Sequence, residues 1–374
     1  MKSKKEVSKK GGFSRTDTKI IKGVAILFML LHHLWAFPDR IAGGELNTAF
    51  GLNYIEFFGI LGKICVSIFF FLGGYGIYMQ SKKRGFSIIS SIKKLYSSYW
   101  KVFLIFVPIA FLFFRHQPEY CADAGVYARY DAFNIKAIVS DFFGGSSTLN
   151  GEWWFLGSYL IAIASFPLAK KIFSKLDNYK AVLLVIAINI FMAYIAPAIG
   201  QNLDLGRPIN GFIYKNFLCQ PGEFYSCFFM GMLFAKNDWM VKLRAKLAQN
   251  FKINFFTSAL ALVLLILLRQ VVTGASLDII QIPLFIILSL EVIYRIPFLP
   301  KILGSFGKHS TTMWLTHSFC CYYFYPLAFI VTWTHWATPS FITLVLMSYL
   351  ISLGFDYGWV GLDKFVSKFQ KRAK

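Results

Sequence analysis

Apolar residues in this chain come in blocks of roughly 17–23, separated by short polar stretches that are mostly basic; about 20 such residues cross ~30 Å of hydrocarbon as a helix. In lipid every backbone N–H and C=O must be satisfied within the segment, which a helix does and an isolated strand does not. Ten blocks qualify, at about 20–37, 57–79, 102–114, 153–169, 181–199, 216–235, 253–272, 278–296, 310–331 and 340–362, the third of them short. Charged residues make up 15% of the chain, against about 25% in a soluble domain. A soluble enzyme, a disordered chain, a coiled coil and a disulfide-stapled domain are therefore excluded. The expected fold is an all-α polytopic membrane protein of about ten transmembrane helices. A basic tail over 1–18, a single membrane domain over 19–363 and a second basic tail over 364–374 complete the expected organisation.

The net charge of +21 invites a nucleic-acid reading, but its distribution argues for a membrane. With the spans alternating sides, one face receives 31 of the 39 Lys and Arg residues, and 11 of the 18 acidic residues lie at or near the other. The positive-inside rule makes the basic face cytoplasmic and puts both termini there. Runs such as Lys82-Lys83-Arg84 are suited to anionic headgroups, so membrane lipids and not nucleic acid are the expected polyanionic partners. The basic N-terminus lacks a short apolar stretch ending in a cleavage site, so the first span is expected to be retained. The six cysteines form no CxxC pair and show no metal-ligand spacing, and no metal site is expected. The connection 115–152 is long enough to form a lid over a membrane cavity.

Polar residues inside apolar spans are costly and are the first candidates for chemistry. Lys22 and His33 in the first span lie eleven residues apart, three helical turns plus about 20°, so they share one face with a rise of about 16 Å. His32 points about 100° away. A cation at the inner mouth with an imidazole deeper on the same stripe suits an anionic ligand entering from the cytoplasm, with proton transfer at its tip. The blander alternative is a positive-inside anchor and a packing histidine. The second span carries Lys63 and Gly73-Gly74, the latter suited to close helix packing. Lys93 and Lys94 enter the third span and could rim a phosphate. Glu152 and Trp154 open the fourth, where the carboxylate could hold a sugar hydroxyl or accept a proton. His317 lies two turns inside the ninth.

In this order the segments resemble the acyltransferase-3 family of bacterial membrane acyltransferases. Lys22 and His33 resemble its basic residue, ten residues, then histidine. Phe69 to Gly74 resemble its aromatic-rich Gly/Ser motif, and Lys93-Lys94 with Tyr99-Trp100 its basic entry to the third span. Trp154-Phe155-Leu156 and Gly307-Lys308-His309-Ser310 through His317 resemble its later motifs, so the likeness runs over about 18–362. Lysines replace the usual arginines in the third-span entry, and Gly73-Gly74 stands where many members have Ser-Gly. The resemblance implies a standalone O-acyltransferase of the bacterial plasma membrane, without an extracellular esterase-like domain. It implies acetyl-CoA or another acyl-CoA as donor, held near Lys22, Lys93 and Lys94. An envelope polysaccharide or lipid-linked sugar would be the acceptor, met by Glu152, Trp154 and His317. His33 would be a general base or would itself carry the acyl group. A flippase for a lipid-linked saccharide and a scaffold protein are the competing classes; paired broken helices would favour the former.

Overall fold

Each apolar block becomes helix for the reasons the sequence supplies, and the bounds are set by local caps. The computed structural model describes residues 13–49, 51–196, 198, 222–251, 253–271 and 277–372. Cys219 and the side chain of Glu223 fall outside that description. Helix α1 (Arg15–Trp35) starts at a capping box: the Ser14 hydroxyl accepts from Asp17 N at 3.1 Å and Asp17 Oδ2 accepts from Ser14 N at 2.7 Å. The second span follows as α2 (Leu52–Leu61) and α3 (Ile64–Ser81), with Gly62 and Lys63 at the turn between them. The third helix, α4 (Ile88–Phe113), is not short. It begins at Ile88, capped by Ser87, so Lys93 and Lys94 lie on the helix itself rather than in a loop leading to it.

Two short helices, α5 (Ala124–Tyr127) and α6 (Ile135–Phe142), lie in the 115–152 connection. The remainder is α7 (Trp154–Lys175), α8 (Asn178–Ile190) with a π-turn to Ile195, α9 (Gly222–Asn237), α10 (Trp239–Asn250), α11 (Phe255–Val271), α12 (Asp278–Ile293), α13 (Leu299–Ser318), α14 (Tyr325–Thr332) and α15 (Ala337–Arg372). The ninth block is therefore two helices, α13 and α14, joined by a π-turn over Phe319–Tyr323, and α13 starts well before the apolar stretch does.

The described residues contain no strand; one isolated bridge joins Asn47 to Trp336. Among them six helical segments are each long and apolar enough to cross a membrane, and a seventh if the bent pair α10–α11 counts as one.

Two glycine-mediated crossings fix the centre. Helix α1 packs most closely on α13: a Cβ at Gly23 would overlap the Leu303 carbonyl, and one at Gly307 the Lys19 carbonyl. Helix α3 packs in the same way on α9, where a Cβ at Gly74 would strike the Phe228 carbonyl and one at Gly231 that of Phe71. Backbone-to-backbone approach of this kind is what small residues allow between membrane helices, where no hydrophobic effect drives association. Gly74 is thus required by packing, whatever residue precedes it. Outward-facing Leu104, Leu112, Phe256 and Leu350 remain exposed, as expected of a lipid-facing surface.

Candidate active site

The polar end of α1 carries the site. His32 and His33 occupy its last turn, after which Phe37 and the single turn Pro38–Arg40 reverse the chain. That reversal folds Arg40 back over the Phe37 ring, 4.5 Å from its centroid, and 5.7 Å from that of Tyr322. Arg40 Nη1 lies 3.4 Å from Glu152 Oε1 and Nε lies 3.2 Å from Asp123 Oδ2. Burial pulls the Arg40 pKa down, but Tyr322 and Glu152 facing it more than offset that, and the guanidinium stays above the ordinary arginine range.

Glu152 is buried at the mouth of α7, in a single 3-10 turn over Gly151–Trp153. Its backbone N–H donates to Asn150 Oδ1 at 3.1 Å, and Asn150 in turn donates to Ser318 Oγ at 2.7 Å. The Trp153 indole donates to the Leu315 carbonyl at 3.1 Å, tying the turn to α13. Tyr323, on the π-turn after α13, donates to Glu152 Oε2 at 2.7 Å. The preceding loop is shaped by Asp141, which accepts from Leu149 N at 2.6 Å and Thr148 N at 3.2 Å, and also from the Ser146 hydroxyl. Burial pushes the Asp141 carboxyl above its ordinary range, against these hydrogen bonds to its ionised form. The carboxylate of Glu152 is thus placed by three separate elements.

Against it stands His33, its Nδ1 3.8 Å from Glu152 Oε1 and without a hydrogen-bond partner. The Tyr322 hydroxyl donates to the His33 carbonyl, fixing the helix end beside the π-turn. Insertions of this type recur where a helix must present side chains to a site. His317 was expected to touch the acceptor. It is fully buried behind His33, with ring centroids 4.9 Å apart, and its Nδ1 donates to the Trp314 carbonyl at 2.7 Å. It borders the imidazole rather than the cavity, because the face of α13 that carries it is packed into the bundle.

A cavity of about 750 Å³ joins these groups. Lys22, Leu95, Ser310 and Thr311 line one end, and Arg40, Arg129, Ser147 and Thr148 the other. His33, Glu152, Trp154 and Trp314 line it between them. Lys22, His33, Glu152 and Trp154 therefore share one chamber. Lys93 and Lys94 are exposed on α4 outside the lining, although Lys94 is near enough to repel Lys22 electrostatically. His32 also reaches the cavity despite its different phase, because the chamber is wide; its Nδ1 donates to the Gly59 carbonyl at 2.8 Å.

Sequence reasoning missed Arg40, Arg129 and Tyr323. The available signals were an arginine just past the first span, an arginine in the one long loop, and a Tyr-Tyr pair after His317. Among the described residues no three His, Cys, Asp or Glu side chains group as metal ligands.

A model of the acyltransferase domain matches residues 17–353, nearly the whole chain. The chain belongs to the acyltransferase-3 family. No curated protein and no solved structure matches it. It is accordingly an acyltransferase, and as a member of this membrane family it must bring an acyl donor and an acceptor together. The His33–Glu152 pair is the part of this acyltransferase where an imidazole and a buried carboxylate face each other across the wall of the open chamber.

Proposed function

We propose that this acyltransferase moves an acyl group, in the simplest case acetyl, from acyl-coenzyme A to a hydroxyl of an envelope carbohydrate or lipid-linked sugar, across the bacterial plasma membrane. The observation that carries the reading is the continuity of one cavity from Lys22 to Arg129 with His33 and Glu152 in its middle. Coenzyme A is a large anion confined to the cytoplasm, and the end bearing Lys22 belongs to the face that carries 31 of the 39 basic residues. Lys22 would meet its phosphates, with Lys94 near the same mouth. Lys93 would add to the attraction at longer range. The thin pantetheine arm would then lie along the roughly 16 Å between Lys22 and His33.

His33 takes the proton from the acceptor hydroxyl. The oxygen attacks the thioester carbonyl, the C–S bond breaks as the new C–O bond forms, and the departing thiolate takes the proton back from the imidazolium. Glu152 faces Nδ1 and stabilises the imidazolium, which leaves Nε2 for the substrate. His317 positions the His33 ring, and Trp154 offers a flat wall to a sugar. A positioned histidine base is typically worth about 10²–10⁴-fold in rate.

Sealed vesicles of known orientation test the reading. Labelled acetyl-coenzyme A supplied on the face carrying the basic loops should release free thiol on that face and place label on acceptor glycan on the other. Label accumulating on glycan of the donor side, at full rate, would overturn the trans-bilayer mechanism.

A further inference from the structure

The loop end of the cavity holds more positive charge than its own carboxylates balance. Glu152 is the sole carboxylate on the described lining, and Tyr323 and Arg40 already occupy it. Among the described residues Arg129 forms no ion pair, although Asp141 lies near enough to feel its charge: its Nη1 donates to the Thr148 carbonyl at 2.8 Å, its guanidinium lies 4.6 Å from the Tyr323 centroid, and its buried Nε has no hydrogen-bond partner among those residues. Lys63, at the turn between α2 and α3, is exposed and lines the same chamber with no hydrogen bond or ion pair among the described residues. It stands level with His32, since the adjacent Gly62 packs against the Phe28 carbonyl and the His32 Cβ. By contrast Arg269, in the neighbouring helix α11, is fully matched by Asp278. A chamber wall with more cations than carboxylates is suited to an anionic ligand.

A neutral sugar does not account for this arrangement. Neutral hydroxyls are met by carboxylates, amides and aromatic walls, whereas two cations without an ion-pair partner, lining one chamber with a third, call for an anion. We propose that the acceptor carries an anionic group, phosphate or carboxylate, held in the chamber between Lys63, level with His32, and Arg129 at the loop end, while Arg40 links it to Glu152. The proposal rests on the acyl-transfer reading only in naming that ligand the acceptor. Fixing the anion there would set the distance of the acceptor hydroxyl from His33, a positioning effect separate from the chemistry. An anchored diphosphate of a lipid-linked sugar and the uronate of an acidic glycan share this chemistry.

Binding to the full-length protein in discs of zwitterionic lipid, with coenzyme A saturating to fill the donor end, distinguishes them. The probes are farnesyl diphosphate, a uronate-containing oligosaccharide and its neutral counterpart. One anionic probe should bind at least tenfold tighter than the neutral one. That preference should fall about tenfold in each of Lys63→Gln and Arg129→Gln, return in Lys63→Arg, and shrink with added salt. Preference for the diphosphate identifies a lipid-linked acceptor, and preference for the uronate an acidic glycan. Equal affinity for all three probes, or an anion preference untouched by both glutamine variants with unaltered melting temperatures, overturns the proposal. If either glutamine variant fails to fold, the salt dependence and the neutral comparison in the unaltered protein decide it. Thiol release from acetyl-coenzyme A is followed in parallel. Release without anion preference removes this proposal alone, while anion preference without release removes the acyl-transfer reading instead.

Discussion

Two charge clusters in this acyltransferase, one buried and one half-buried, use the same residue types and are built in opposite ways. In the first, Arg269 on α11 grips Asp278 on α12 with two hydrogen bonds, at 2.8 and 3.0 Å, and the Ser67 hydroxyl on α3 donates to the same carboxylate. Arg269 is 7% exposed and Asp278 not at all. In the second, Arg40 divides itself between Asp123 and Glu152 at longer range, and His33 faces Glu152 at 3.8 Å without a hydrogen bond. The first cluster is saturated and can only hold three helices together. The second keeps an unused nitrogen and borders an open chamber, so it has capacity left for a substrate. Incomplete pairing and greater exposure, rather than charge, distinguish the cluster on the chamber from the closed one.

The largest expected effect falls on the open cluster. His33→Ala should lower acyl transfer by about 10²–10⁴-fold while leaving the melting temperature near that of the unaltered protein. Assays of thiol release on protein quantified in the membrane measure this. A His33 variant that keeps full activity would remove the contrast between the clusters.

The closed cluster should respond in stability and not in chemistry. Arg269→Met leaves Asp278 buried without its cation, a loss of about 3–5 kcal/mol when such a pair is broken from one side. The double variant Arg269→Met with Asp278→Leu should recover most of that, since replacing both partners by apolar groups is often close to neutral. Thermal unfolding in detergent reads both, and activity per folded molecule should stay unchanged in the double variant. A double variant that stays folded but inactive would place the closed cluster in the mechanism.

A smaller effect is expected at the mouth. Lys22→Gln removes a charge-assisted contact of about 1.5–3 kcal/mol, so the KM for acyl-coenzyme A should rise roughly tenfold or more with kcat little altered, and Lys22→Arg should be tolerated. An unchanged donor KM in Lys22→Gln would sharpen the comparison by confining function to the deeper cluster. The smallest effect belongs to His32→Ala. That ring reaches the chamber, but its Nδ1 is committed to the Gly59 carbonyl, so activity should fall only a few-fold. Loss equal to that in His33→Ala would show the two rings acting as a unit.

These residues were unequally legible in the sequence. Helical phase is local, so Lys22 and His33 could be placed on one face from their spacing alone. Glu152 stood out because a carboxylate beside a tryptophan pair at a membrane interface is unusual enough to ask about. Arg40 and Arg129 line the same chamber and Tyr323 bonds the Glu152 carboxylate on its wall, from three chain regions far apart in sequence, and no periodicity relates them. Lys93 and Lys94 were misjudged in setting because Ile88–Ser98 is too polar to be read as part of a span, although Ser87 caps it as helix. His317 was read as lying two turns inside the ninth span and is buried on α13, but which way α13 turns it depends on how Gly23 and Gly307 let α1 and α13 meet.

What the sequence by itself determined is the solvent: blocks of this length and apolarity must lie in lipid, and in lipid they must be helices. It also determined membership of the acyltransferase-3 family, through ordered motifs that the domain match over 17–353 supports. Only the tertiary structure decided which charges are spent and which are free. Arg269 and Arg40 look alike along the chain, each an arginine at the end of an apolar helix. One meets squarely a carboxylate at the start of the next helix, and the other shares two that belong to the long loop and to the mouth of α7, because pairing depends on how helices and loops fold against each other rather than on the residue's own neighbourhood.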